Sequence, residues 1–254
     1  MNRSAKGRFL FFEDSPRRVR ATFAGETVVD SRRAKLLHEG EHLPVYYLPE
    51  EDVRIDLLEP TDHSTHCPHK GDASYWTLRA RGKVAENAAW TYREPMEEAA
   101  PLAGYVAFYW DKLDEWFEED EQVFGHARDP YHRIDALPTS RRIRVSVMGD
   151  VVADSTGATA LFEAGLPTRW YLPREDVRTD VLVPSETRTR CAYKGLASYY
   201  SVRANGDVLE DLVWSYPEPT REAEPLKDLL CFFNEKVDVE VDGELEERPR
   251  TLWS

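Results

Sequence analysis

Cysteine is scarce in this chain: three residues, Cys67, Cys191 and Cys231, with no Cys-x-x-Cys pair among them. An odd, widely spaced set is no disulfide framework, and the usual spacing of a structural zinc knuckle is missing. Reduced thiols in a cytoplasmic protein are the expectation. Net positive charge is lacking too. Lys and Arg number 33 against 47 Asp and Glu, a formal charge of −14. That excludes a general nucleic-acid coat, which needs cations to displace counterions. No apolar run approaches the about 18–20 residues that span a bilayer, and residues 9–12 are too short for a signal-peptide core. Gly-x-Gly-x-x-Gly, a phosphate-loop Lys-Ser/Thr and a Gly-x-Ser-x-Gly elbow do not occur. Long amphipathic patterns are also missing, which argues against Rossmann, P-loop and TIM-barrel architectures.

What the chain has is one unit written twice. Tyr47-Leu48-Pro49 and Glu51-Asp52-Val53-Arg54 return as Tyr171-Leu172-Pro173 and Glu175-Asp176-Val177-Arg178. Cys67-x-x-Lys70-Gly71-x-Ala73-Ser74-Tyr75 returns as Cys191-x-x-Lys194-Gly195-x-Ala197-Ser198-Tyr199, and Trp90-x-Tyr92 as Trp214-x-Tyr216. Residues 17–114 overlay 141–238 without a gap at an offset of 124, with 43 identities in 98 positions. Each copy is long enough to be a domain, and the period is too long for a solenoid. The expected organisation is a first repeat domain at 17–122, an ordered linker at 123–140 and a second repeat domain at 141–247. The junction opens with six acids in eight residues, Asp114 to Glu121. Trp116, Phe117, Tyr131 and Ile134 are expected to pin the connecting residues to a domain surface.

Strand signals dominate. Ala24-Gly25 and Met148-Gly149 sit between alternating apolar stretches and read as hairpin turns. Residues 74–80 and 198–204 alternate, turn at Gly82 and Gly206, and pair with 86–92 and 210–216. Alternation sends Tyr75 and Trp76 to opposite faces. Pro49 and Pro173 each start one helical turn, Pro60 and Pro184 are expected to close the next short strand, and 102–110 reads as a buried strand or a short helix. The fold class is mainly β: two tandem small β domains of twisted antiparallel sheets with short helical turns.

Together, Leu48-Pro49-x-Glu51-Asp52-Val53-Arg54, Thr65-x-Cys67-Pro68-x-Lys70-Gly71-x-Ala73-Ser74-Tyr75 and Asn87-x-x-Trp90-x-Tyr92 resemble the family called domain of unknown function 427, sometimes labelled nucleotidyltransferase-domain-like. The likeness spans about 17–114 and 141–243. It implies a fold similar to the small β-tent of yippee-like proteins and methionine sulfoxide reductase B, and no activity. Those relatives often hold zinc on two Cys-x-x-Cys knuckles, which this chain lacks, so no metal is carried over. The family's Cys-Pro-aromatic-Lys-Gly motif has His69 in the aromatic slot of the first copy and Ala192 in the proline slot of the second.

Three readings of the repeated turn stay open. A lysine near a cysteine could stabilise a thiolate nucleophile. Aromatic walls above a lysine could hold a small molecule, a nucleotide or a coenzyme for instance. Or Cys is a small buried hydrophobe, Lys covers an edge, and Gly supplies a positive φ. The ligand-binding candidates are Cys67, Lys70, Gly71, Tyr75 and Trp90, with Cys191, Lys194, Gly195, Tyr199 and Trp214, the lysines setting a locally positive potential. The cluster His63-x-x-His66-Cys67-x-His69 suits a metal, but the second copy has Thr187, Arg190 and Tyr193 there, so no metal is assigned. Glu51, Asp52, Arg54 and Asp56, with their counterparts, read as a cap and ion pairs. Arg17, Arg18 and Arg20, Arg141, Arg142 and Arg144, and Arg3, Lys6 and Arg8 make basic spots. No catalytic residue or cofactor is named and enzyme activity is left open. The expected partner is a small molecule, with neither nucleic acid nor membrane; an acidic surface for an unknown protein partner is the alternative.

Overall fold

The computed structural model describes residues 10–40, 42–251 and 254. The chain divides into two units between Asp129 and Pro130. In the first, the strands are β1 Leu10–Asp14, β2 Val19–Phe23, β3 Glu26–Ser31, β4 Lys35–Glu39, β5 Val45–Pro49, β6 Leu58–Cys67, β7 Gly71–Ala80, β8 Lys83–Thr91, β9 Tyr105–Phe108, β10 Glu115–Glu118 and β11 Glu121–Val123. One antiparallel sheet runs β1-β4-β5-β9-β8-β7-β6 and a second runs β11-β10-β2-β3. The second unit repeats this with β12 Ile134–Pro138, β13 Ile143–Val147, β14 Asp150–Ser155, β15 Thr159–Glu163, β16 Arg169–Leu172, β17 Leu182–Cys191, β18 Gly195–Ala204, β19 Asp207–Pro219, β20 Leu230–Phe232, β21 Asp238–Val241 and β22 Glu244–Leu245. Its sheets run β12-β15-β16-β20-β19-β18-β17 and β14-β13-β21-β22, the same topology.

The hairpins form where two-residue turns permit them. Ala24 and Gly25 have φ of 52° and 72°, and Met148 and Gly149 have 50° and 88°. Two successive positive φ angles match the twist of the flanking strands. Alternation then sends successive side chains to opposite faces of each sheet. Val19, Ala21, Phe23, Trp76, Leu78 and Val106 fill the space between the two sheets of the first unit. The other face of the seven-stranded sheet buries Tyr47, Tyr75, Tyr92 and Leu102. Tyr75 and Trp76 do point oppositely, and Tyr199 and Tyr200 follow them.

Three local expectations change. Pro60 and Pro184 do not close their strands, because β6 and β17 run on to Cys67 and Cys191. Both are edge strands, where a missing N–H costs no ladder bond, and the register shifts just after each proline. The acidic stretch after Asp114 forms β10 and β11 of the first unit, with Trp116 in its core. Its acids lie along the arginine-bearing strand β2, where Arg20 bonds Asp120 at 2.9 Å and Arg17 bonds Glu118. The basic spots are therefore paired, as Arg142 is with Asp154; Arg3, Lys6 and Arg8 lie outside the described residues. Finally, residues 134–138 belong to the second unit, as β12 on β15, standing where β1 stands on β4.

The region 102–110 resolves into both of its readings: a 3-10 segment, Glu97–Leu102, then β9. That segment lies against β1, and Arg221–Leu226 lies against β12. In a flat sheet β4 and β7 would stand about 19 Å apart, four strand spacings. The seven-stranded sheet curls around the 3-10 segment instead, and its two ends approach each other there.

Candidate functional site

The repeated turn joins β6 to β7. Lys70 N–H donates to the Cys67 carbonyl at 3.2 Å, and Gly71 takes φ +94°. Met96, at the head of the 3-10 segment, donates its N–H to the Lys70 carbonyl at 3.1 Å. In the second unit Thr220 does the same for Lys194 at 3.2 Å, and Gly195 has φ +99°. Glycine is favoured at both turns by the sign of φ, and at Gly195 also by the close approach of a neighbouring chain. A Cβ on Gly195 would lie 2.9 Å from the Glu218 carbonyl oxygen; on Gly71 the nearest atom is 3.5 Å away.

The turn delivers the lysine to the far end of the curled sheet. Lys70 Nζ bonds Glu39, the last residue of β4, and Lys194 Nζ bonds Glu163, the last of β15. Both lysine side chains are 9% exposed. This corrects the expectation of a positive potential: each ammonium is matched by a carboxylate. It also weighs against a lysine-activated thiol, because the ammonium is committed to glutamate. Cys67 and Cys191 are half-buried free thiols, and Cys67 packs into the aromatic cluster.

The aromatic candidates gather on this same face. Trp90 Nε1–H donates to the Tyr47 hydroxyl at 3.3 Å, and Trp214 Nε1–H to that of Tyr171 at 2.9 Å. The Tyr75 and Tyr199 hydroxyls lie 2.8 Å from Thr65 Oγ1 and Thr189 Oγ1. Lys70 Nζ stands 5.8 Å from the centre of the Tyr92 ring. Burial, and then the neighbouring hydroxyls, thiol and carboxylate, push the Tyr92 hydroxyl's pKa up. The Tyr216 hydroxyl is raised by the same causes, with Cys191 and Glu163 among its neighbours.

Those two tyrosines are buried, and among the described residues neither hydroxyl has a hydrogen-bond partner. Among the same residues, the fully enclosed side-chain N and O atoms that lack partners are Arg20 Nε and Arg144 Nε alone. The Tyr92 and Tyr216 hydroxyls therefore border space that solvent can enter. Each lysine ammonium has three donors, and one carboxylate to bond among the described residues. Unspent donors among aromatic side chains, with a tyrosine hydroxyl bordering accessible space, are what a small-molecule site offers.

The second unit adds charge to this face. Arg169, on β16, stands where the first unit has Val45. It grips Glu235 with two bonds of 2.7 Å, bonds Asn234 at 3.0 Å, and lies over the Trp214 ring. Thr251 donates to Glu235 at 2.6 Å. His132 Nε2 lies 3.0 Å from Glu163 Oε1, its ring stacked on Tyr193. Burial alone would raise both carboxyls. The bonds from Arg169 and Thr251 outweigh it and hold Glu235 at about 2; those from His132 and Lys194 lower Glu163.

All ten predicted site residues lie along this curled face or its turn. Sequence reasoning missed Glu39 and Glu163, though both are identical at the repeat offset and were there to be found. It also missed Arg169, Glu235 and His132, which the first copy does not have. The other constellations stand apart. His66 Nδ1 lies 2.7 Å from Asp72, both exposed, and His63 sits edge-on to Tyr75. No group of three or more His, Cys, Asp and Glu suited to a metal occurs among the described residues. Arg54 pairs with Asp56 and Arg178 with Asp180, while Asp52 and Asp176 accept from Ser31 and Ser155. No helix among the described residues is long and apolar enough to cross a membrane.

Compared with curated proteins, the chain has no match. A family model, the domain of unknown function DUF427, matches twice, over residues 11–119 and 135–243. Those bounds contain the lysine turn of each unit and nearly all of its two sheets, but leave out the edge strands β11 and β22 and stop short of Thr251. The chain thus belongs to the DUF427 family and carries two tandem copies of its domain.

Proposed function

We propose that each repeat is a small-molecule-binding domain, its ligand seated on the curled face beside the Lys70–Glu39 and Lys194–Glu163 pairs. One observation carries this reading. In both repeats a lysine side chain only 9% exposed, with N–H groups to spare, accompanies a buried tyrosine whose hydroxyl has no protein partner among the described residues. Burying an ion pair costs desolvation that an apolar pair would avoid, and a bound group that accepts the spare hydrogen bonds offsets that cost. The surrounding rings favour a ligand with a planar part, a nucleotide base or a coenzyme ring being the class to screen first. A cytoplasmic setting, in which Cys67 and Cys191 stay reduced, is part of the proposal.

The test is a ligand screen on the full chain, read by the indole N–H signals of Trp90 and Trp214. Ligands should move one or both signals, and Lys70→Met or Lys194→Met should weaken binding at its own repeat by about tenfold, as loss of a charge-assisted bond does. Cys67→Ser should change affinity little. If nucleotides, coenzymes, sugars and simple aromatics all leave both indoles unmoved, the binding role is wrong.

A further inference from the structure

The two repeats share the lysine–glutamate pair but finish the glutamate differently. Glu39 meets one side-chain donor among the described residues, Lys70, and its side chain stays 21% exposed. A carboxylate has about four lone-pair sites, so the first site offers acceptors as well as donors. Glu163 is 5% exposed and capped on both oxygens: Lys194 on Oε2, His132 on Oε1 at 3.0 Å. The other carboxylate on that face, Glu235, is occupied by Arg169 and Thr251. Both carboxylates of the second site thus have each oxygen already bonded and little exposed, where Glu39 has one donor among the described side chains and an exposed edge. Donors remain at the second site: Lys194 Nζ bonds one side-chain acceptor among the described residues and keeps further N–H groups, and the Tyr216 hydroxyl borders accessible space.

From this, and resting on the binding role proposed above, we infer that the second repeat selects an oxyanion, a carboxylate or a phosphate monoester on a ring, over the matching carboxamide. The amide NH₂ would find no acceptor at Glu163, while an oxyanion uses the ammonium and hydroxyl donors together. The first repeat, where Glu39 meets only Lys70 among the described side-chain donors, should lack that preference.

Benzoate, phenyl phosphate and benzamide, titrated into the full chain, test this through the Trp214 and Trp90 indole signals. At Trp214, benzoate or phenyl phosphate should bind at least about tenfold tighter than benzamide, the scale on which a site rejects a group it leaves unpaired; whichever oxyanion is tighter identifies the source. His132→Phe keeps a ring on Tyr193 and frees one Glu163 oxygen, so the preference should fall toward unity. Tyr216→Phe, a milder change, should weaken both oxyanions several-fold and benzamide, whose neutral carbonyl accepts a weaker bond, by less. Equal binding of the three probes at Trp214, or an unchanged ratio in His132→Phe, overturns the inference. Benzamide binding alone overturns it too, yet leaves the binding role standing. If no probe moves either indole while the nucleotide and coenzyme screen also fails, both fall.

Discussion

At Val45 the first repeat places an aliphatic side chain, and at the matching position of the second stands Arg169, buried and doubly bonded to Glu235. The counterpart of Glu235 is Asp111, which is exposed. Backbone topology is the same in both repeats. The lesson is that this fold does not need the charged pair. A buried pair is seldom the most stable filling of its space, so its presence in one copy separates what holds the sheets together from what the second copy does. Arg169→Val, which imitates the first repeat at one position, should expose the cost. It leaves Glu235 without its cation, and should destabilise the second repeat by about 3–5 kcal/mol. The measurement is a urea titration in which the Trp214 indole signal is lost before that of Trp90. The double variant Arg169→Val with Glu235→Gln should recover much of the loss. A silent Arg169→Val would end the argument that the pair is a constrained, purposeful addition.

The lysine turns differ more subtly. Gly71 and Gly195 both take positive φ, but only at Gly195 would a Cβ meet backbone at 2.9 Å. Gly195→Ala should therefore cost about 2–4 kcal/mol, φ strain plus displacement of the 218–220 segment, and Gly71→Ala about 1–2 kcal/mol, the strain alone. Equal costs would mean that the two turns relax alike and that the tighter approach is of no consequence.

Much of this was legible in the sequence because it is local or repeated. Turn pairs such as Ala24-Gly25, the opposed faces of Tyr75 and Trp76, and the 124-residue offset need no knowledge of distant contacts. The lysine's partner was not legible for a physical reason: Glu39 is 31 positions from Lys70 in sequence and lies on β4, the other side of the sheet. Only the curl around Glu97–Leu102 brings them together, and curl comes from packing, which no periodicity encodes. Pro60 misled for a related reason. A proline ends a central strand but not an edge strand, and edge position is a property of the whole sheet.

Acid should act on the added charges of the second repeat. The Glu235 carboxyl sits at about 2 in the folded chain against an ordinary 4.5, and Glu163 is also lowered. A lowered folded pKa means that the unfolded chain takes up protons first. The stabilisation is complete above about pH 4.5 and is lost as pH falls toward 2. Glu235→Gln removes its share of that dependence, so the variant and the parent should converge in second-repeat stability as pH drops through this window. Parallel curves would show that Glu235 is not held low, and would remove one of the features that distinguish the repeats.

The smallest effect belongs to the histidine strand of the first repeat. His66 and Asp72 form an exposed pair, and the second repeat has Arg190 and Leu196 at those positions. Exposed pairs contribute about 0–1 kcal/mol, so His66→Arg should change first-repeat stability by less than about 0.5 kcal/mol, as surface substitutions usually do. His63→Thr removes a ring that lies edge-on to Tyr75, and Tyr75 keeps its bond to Thr65, so the change should again be minor. Zinc provides the sharper contrast. If added zinc raised the melting temperature of the first repeat, and His63→Thr abolished that rise, the histidines would be a metal site confined to one copy, and the division of labour between the repeats would have to be redrawn around them.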